Sequence, residues 1–170
     1  NFFNMSLPQS VKAGVLLMNL GSPRSPRVGD VRNYLREFLM DPRVIDLPLP
    51  LRWPLVQGAI LPFRPKESAH AYQSVWTAQG APLLVISRQL QKRLAEAVSV
   101  PIYLAMRYAQ PSISEVVGQM RADGINQVYL MPLYPQYAMS SYETVVVAAQ
   151  QILADQLPQA RVECLQPFYD

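Results

Sequence analysis

The sequence predicts an α/β domain with a four-stranded parallel sheet flanked by helices. Three observations predict it. Short apolar runs closed by turn formers occur four times, at 15–23, 102–106, 127–132 and 161–166. Between them lie segments whose apolar residues recur at helical spacing. The two patterns alternate along the chain, and strands separated by helices require right-handed crossovers, which make the sheet parallel.

The first run, VLLMNLGSP from Val15 to Pro23, is continuously apolar until Asn19, as expected of a strand buried on both faces. Ligands of open α/β sheets sit beyond the carboxyl ends of the strands, which places Leu20 at the floor of any site. Ser25 and Pro26 then open a helix carrying Val28, Val31, Leu35, Phe38 and Leu39 on one face, and Pro42 stops it.

Residues 45–65 break the pattern. Five prolines after Leu47 argue against a long regular helix, yet Leu49, Leu51, Trp53, Leu55, Ile60 and Phe63 make the segment strongly apolar. It is too interrupted, and too charged at Arg52, to cross a bilayer. Such a loop buries itself, forms a pocket lip or touches a membrane surface.

Glu67 to Thr77 reads as a helix bearing the single histidine, His70, beside Lys66 and Glu67, where a solvated role is expected. Gly80–Ala81–Pro82 forms a turn before an amphipathic helix from Leu83 to Val98. The second strand ends in Arg107 and Tyr108, and Ser112 with Glu115 forms a capping box for the next helix, which Gly124 ends. The third strand ends in Tyr134, Gln136 and Tyr137. Ser140 with Glu143 reads as a second capping box, and the fourth strand ends in Phe168 and Tyr169.

Composition bounds the function. The 170 residues suit one domain, with 50% hydrophobic and 16% charged residues. The net charge of +3 is scattered, far from the density of a nucleic-acid binder. A single cysteine, Cys164, excludes an internal disulfide and a cysteine cluster for zinc or iron–sulfur; in a strand it reads as a buried, inert thiol in a reducing compartment. Residues 1–12 read as an extension ahead of a domain at 13–170. They show no basic leader with an apolar core, so no secretory signal is expected.

The strand ends together present Asn19, Leu20, Arg107, Tyr108, Tyr134, Gln136, Tyr137, Phe168 and Tyr169: one cation among aromatics and amides. There is no acidic pair for glycoside hydrolysis, no phosphate-cradling glycine motif, no nucleophile elbow and no triad. Aromatics with one arginine suit a flat, apolar, carboxylate-bearing ligand.

Six segments in order resemble the N-terminal half of the ferrochelatase family. They are LLMNLGSP at 16–23, YLREFLMDPRVID at 34–46, ILPFRPKESAHAYQSVW at 60–76, GAPL at 80–83, MRYAQP at 106–111 and LYPQYAMSS at 133–141. The resemblance implies a chelatase-like domain, one of two similar α/β domains enclosing a porphyrin cleft, and insertion of ferrous iron into protoporphyrin IX in heme biosynthesis. Iron is then a substrate and no cofactor is expected. Position by position, the resemblance places Leu20 against the porphyrin plane, Arg64 and Tyr72 near the propionate end, Arg107 and Tyr108 at the cleft, and Tyr134 and Tyr137 close to it. Residues 49–65 match a pocket lip that touches the lipid surface in membrane-attached members. Leu20, where other members carry Met or Tyr, favours the protoporphyrin branch.

The family's proton-accepting histidine and glutamate lie in its C-terminal half. None of the present residues matches them, so no catalytic residue is expected here and these 170 residues are expected to be inactive alone. The expected partners are protoporphyrin IX, ferrous iron and the C-terminal half, with no nucleic acid. A cytoplasmic location, with peripheral contact at the inner membrane, follows the same resemblance. The alternative is a tetrapyrrole-binding module without chemistry.

Overall fold

The computed structural model describes residues 11–167. Four parallel strands, β1 (Ala13–Asn19), β2 (Ile102–Met106), β3 (Gln127–Pro132) and β4 (Arg161–Cys164), stand in the order β2-β1-β3-β4. Among the described residues six α-helices accompany them: α1 (Val28–Leu39), α2 (Leu49–Pro54), α3 (Arg64–Val75), α4 (Pro82–Ala97), α5 (Ile113–Ala122) and α6 (Thr144–Gln156).

The unbroken apolar run of β1 follows from its central position. Leu16 and Met18 face α5 and α6 in a core that includes Val117, Met120, Val145 and Leu153. Leu17, one residue out of phase, faces the opposite side with Leu104 and Met106, where α4 packs through Leu90 and Leu94. Burying each such leucine stabilises the fold by about 1.5–3 kcal/mol.

A third apolar cluster, Val31, Leu35 and Leu39 of α1 with Val56, Leu61 and Ala69, forms a helical layer. The i, i+4, i+8 spacing of the α1 residues supplies its buried stripe. This layer meets the strand ends, because the Tyr34 hydroxyl donates to the Gly21 carbonyl at 3.2 Å.

The Pro-rich segment holds no long regular helix, as expected, but short helical pieces stand where a loop was expected. Pro50, Pro65 and Pro82 all occupy the first two positions of helices, where a missing N–H removes nothing from the hydrogen-bond ladder. Pro54 falls inside, and the chain continues as a π-helical turn at Leu55–Ile60, closed by the Leu61 amide on the Val56 carbonyl at 2.9 Å. Arg52 turns inward, 8% exposed, and donates to the Ile45 and Leu47 carbonyls at 3.3 and 3.0 Å. Leu49, Leu51, Trp53 and Phe63 stay exposed. Among the described residues no helix is long and apolar enough to cross a membrane.

Two other expectations are corrected. Ser112 and Glu115 do form a capping box, but Ser140 and Glu143 do not. A π-helical turn at Met139–Glu143 precedes α6, and the Glu143 carboxylate is drawn away to Arg43 at 3.3 Å and to the Tyr137 hydroxyl. Cys164 is half-buried rather than buried, because β4 is an edge strand whose other residues are exposed.

Candidate functional site

The candidate site lies at the strand ends, between β1 and β3, whose onward connections run in opposite directions. Such a switch point leaves a crevice beyond the carboxyl ends. Asn19, buried at the end of β1, spans it: its Oδ1 accepts the Leu20 amide at 2.8 Å and the Tyr134 hydroxyl at 2.9 Å. Leu20 and Tyr134 therefore stand side by side against the α5–α6 core.

On the other side of β1 the backbone ladder continues past the strands. The Arg107 and Tyr108 amides donate to the Asn19 and Leu20 carbonyls at 2.8 and 2.9 Å. That close approach requires a glycine at position 21. Gly21 has φ +98, and a Cβ there would lie 2.1 Å from the Tyr108 carbonyl oxygen.

Tyr108 is 2% exposed and anchors an aromatic row. Phe38 and Tyr34 meet it edge-on at 5.5 and 6.4 Å, Tyr72 meets Tyr34 edge-on at 6.4 Å, and Trp76 meets Tyr72 at 6.4 Å. Burial pushes the Tyr108 phenol up to about 12 and raises Tyr34, Tyr72 and Tyr134 as well. These phenols stay neutral at physiological pH and provide no tyrosinate base, and the hydroxyls of Tyr34, Tyr108 and Tyr134 already donate within the protein.

Arg107 is not the free cation that the strand-end pattern suggested. Its Nη2 donates to Asp41 Oδ2 at 2.7 Å and its Nε to Thr144 Oγ1 at 3.0 Å, while its guanidinium carbon lies 4.7 Å from the centre of the Tyr108 ring. Asp41, the residue after the cap of α1, receives the Tyr108 hydroxyl at 2.9 Å and the Thr144 hydroxyl at 2.6 Å on the same oxygen. Its Oδ1 takes the Arg43 amide at 2.8 Å.

Burial alone would raise the Asp41 carboxyl. The bonds from Thr144, the Arg43 amide and Tyr108, and then the Arg107 charge, outweigh burial and hold it below the usual carboxylate value. A carboxylate depressed in the folded state stabilises that state above its unfolded pKa of about 4, and the contribution is lost as pH falls through the folded value. Urea melts from pH 6 down to pH 2 are therefore expected to show a steeper acid loss for the native chain than for Asp41→Asn. Parallel pH profiles would remove Asp41 from that account.

The remaining predicted positions are dispersed. Arg64 opens α3 and is exposed, beside an open depression of about 620 Å³ lined by Ile60, Phe63, Glu67 and Ala71. Tyr72 lies eight residues along the same helix, about 12 Å of rise away, and joins the aromatic row through Tyr34. Tyr137 is 55% exposed and packs on Tyr142, outside the aromatic row. His70 is exposed on α3, as expected. Phe168 and Tyr169 lie outside the described residues.

Sequence reasoning missed Asp41, Thr144, Tyr34 and Phe38. Asp41 left a signal: an acid at a helix C-terminus opposes the helix dipole, so a counter-charge from elsewhere in the fold was to be expected. Tyr34 and Phe38 are four residues apart on α1 and share a face, which is the spacing of a contact row.

Comparison with known proteins bears on these residues. The ferrochelatase family model matches residues 12–170. The ferrochelatase of Opitutus terrae is 55% identical over 159 residues, covering 92% of this chain and 46% of that protein. Those of Pseudomonas fluorescens SBW25 and Stutzerimonas stutzeri A1501 are 50% and 49% identical over 157 residues, with the same coverage. The chain thus spans about half the length of the curated relatives it matches. With a family model matched along nearly all of its length and relatives at 49–55% identity, the chain belongs to the ferrochelatase family.

Proposed function

We propose that this chain supplies one wall of the porphyrin cleft of a ferrochelatase, which inserts ferrous iron into protoporphyrin IX. The observation that carries this reading is the makeup of the β1–β3 crevice. Leu20 and the ring of Tyr134 stand together there, beside neutral phenols and an arginine whose charge Asp41 balances. An apolar wall without net charge matches the flat face of a macrocycle, and the guanidinium N–H of Arg107 beside it suits the polar edge.

Metal insertion requires the ring to be bent and two pyrrole protons to be removed by a base within hydrogen-bond reach. The tyrosines of this wall are poor bases, since burial favours their neutral form. His70 sits exposed on α3, apart from the crevice residues. The chain's part is therefore to press against and orient the ring, with protons taken by the histidine and glutamate of the family's C-terminal half. Iron enters as substrate, with no further cofactor.

Titration of the 170-residue chain with mesoporphyrin, followed at the Soret band, tests this. A saturable shift is expected, with affinity reduced about tenfold or more in Leu20→Asp, a loss of about 1.4 kcal/mol or more. No shift for the native chain sinks the proposal. Incubation with ferrous iron and porphyrin is expected to yield no metal insertion above background, and turnover that survives His70→Ala would refute the assignment of chemistry to the other half.

The same proposal gives residues 49–65 a place at a lipid surface on the cytoplasmic side of the inner membrane. Leu49, Leu51, Trp53 and Phe63 are each more than half exposed, an apolar patch in one short segment. Trp53 fluorescence is expected to shift to the blue with phosphatidylglycerol-containing vesicles, and the shift to vanish in Leu51→Ser/Phe63→Ser. An unchanged spectrum counts against membrane contact.

A further inference from the structure

One oxygen joins three elements of this fold. Asp41 Oδ2, beyond the end of α1, receives Arg107 Nη2 and the Tyr108 hydroxyl from the end of β2 and the Thr144 hydroxyl from the start of α6. The Asp41 side chain is 2% exposed, whereas that of Arg107 keeps 29%. The pair is thus asymmetric: the acid is sealed in and the base reaches the surface of the wall.

Net stability is a weak explanation for such a pair, because desolvating a carboxylate offsets most of what the ion pair returns. Geometry is a better one. A guanidinium is planar, so bonds from Nε to Thr144 and from Nη2 to Asp41 fix both its position and its plane. They leave Nη1 without a hydrogen-bond partner among the described residues. The same carboxylate cancels the charge of Arg107, so the wall carries a directed donor without a net positive field.

We propose that Asp41 is a positioning residue: it orients Arg107 and neutralises it, so that the cleft offers an aimed N–H to its ligand. This rests on the porphyrin reading above. Arg107 is the residue that meets the ligand, and Asp41 acts only through it. A lone arginine would sample many rotamers and would oppose the entry of a dication. Paired with Asp41, it does neither.

The hold on Arg107 can be read without any ligand. In the chain labelled with nitrogen-15 arginine, the Arg107 Nε–H resonance, assigned by its loss in Arg107→Lys, is expected to be sharp and slow to exchange. Asp41→Asn is expected to speed that exchange at least tenfold. Leu153→Ala, which opens a cavity in the buried core under α6, is expected to leave it unchanged. Mesoporphyrin affinity is expected to fall about tenfold in Asp41→Asn and to hold in Leu153→Ala.

Unchanged exchange in Asp41→Asn overturns the proposal, as does unchanged porphyrin affinity in that variant. A native chain that shows the slow Nε–H but no Soret shift overturns the porphyrin reading alone and upholds the hold of Asp41 on Arg107. Should Asp41→Asn fail to fold, Thr144→Val, which removes the acceptor of Nε, carries the same comparison. Thr144→Ser, which keeps the hydroxyl, is expected to restore the native resonance.

Discussion

Gly21→Ala is expected to destabilise the domain by about 2–6 kcal/mol, enough to consume much of the 5–15 kcal/mol typical of a native domain. Two costs add. At φ +98 an L side chain is strained by about 1–3 kcal/mol. The new Cβ would also lie 2.1 Å from the Tyr108 carbonyl oxygen and 3.0 Å from the Met106 Cβ. Backbone at that distance must move, and overpacking of this kind costs about 1–3 kcal/mol.

The movement has a direction with consequences. It would separate the Leu20–Tyr108 backbone bond and shift Leu20, which borders the crevice, against Tyr108 on the other side of β1. Gly29→Ala supplies the control. Gly29 lies near the start of α1, and a Cβ there would meet nothing within 4 Å, so alanine is expected to be neutral or to stabilise by up to about 1 kcal/mol. Urea unfolding midpoints of the two variants, compared with the native chain at constant m, decide the matter. A Gly21→Ala midpoint indistinguishable from native would show that the β1–β2 approach is not as close as described.

The contrast between those glycines also shows what the sequence makes legible. The strands were legible because β1, β2 and β3 alternate between two buried faces, a pattern that survives without knowledge of their partners. The Ser112–Glu115 cap was legible because both halves lie within one turn. The Ser140–Glu143 match has the same local form but lost to a distant competitor: Arg43, a hundred residues away in sequence, takes the Glu143 carboxylate.

Distance along the chain likewise hid the ion pair. Asp41 and Arg107 are 66 residues apart, and nothing local to either names the other. The strand-end rule grouped Leu20, Arg107, Tyr108 and Tyr134 because the β2-β1-β3 order brings these strand ends together whatever the helices do. It could not find Tyr34 and Phe38, since only the docking of α1 on the strand ends puts them beside Tyr108. The prolines did exclude a long helix over 45–65, but not the short α2, because at a helix start a proline is compatible with structure, and position, not count, decides.

The Asp41–Arg107 pair is expected to show a coupling of about 1–3 kcal/mol in a double-mutant cycle at pH 7, measured by urea unfolding of Asp41→Asn, Arg107→Met and the combination. Arg107→Met alone strips a buried carboxylate of its cation, a change that costs about 3–5 kcal/mol where both partners are sealed from water. Here Arg107 is partly exposed, and Tyr108, Thr144 and the Arg43 amide remain on the acid. A cost of about 2 kcal/mol is the fitting expectation. Asp41→Asn strands a half-solvated arginine, which water relieves, and turns an acceptor facing four donors into a mixed group. The double variant removes both charges, so its cost should fall well short of the sum. The size of that shortfall separates two functions for one contact. A coupling near zero would mean that solvent and the remaining donors replace each partner freely, leaving no physical basis for an oriented Arg107. A coupling within the expected range would mean that the carboxylate and the guanidinium hold each other, and that the α1 layer and the end of β2 are locked together beside the strand-end crevice.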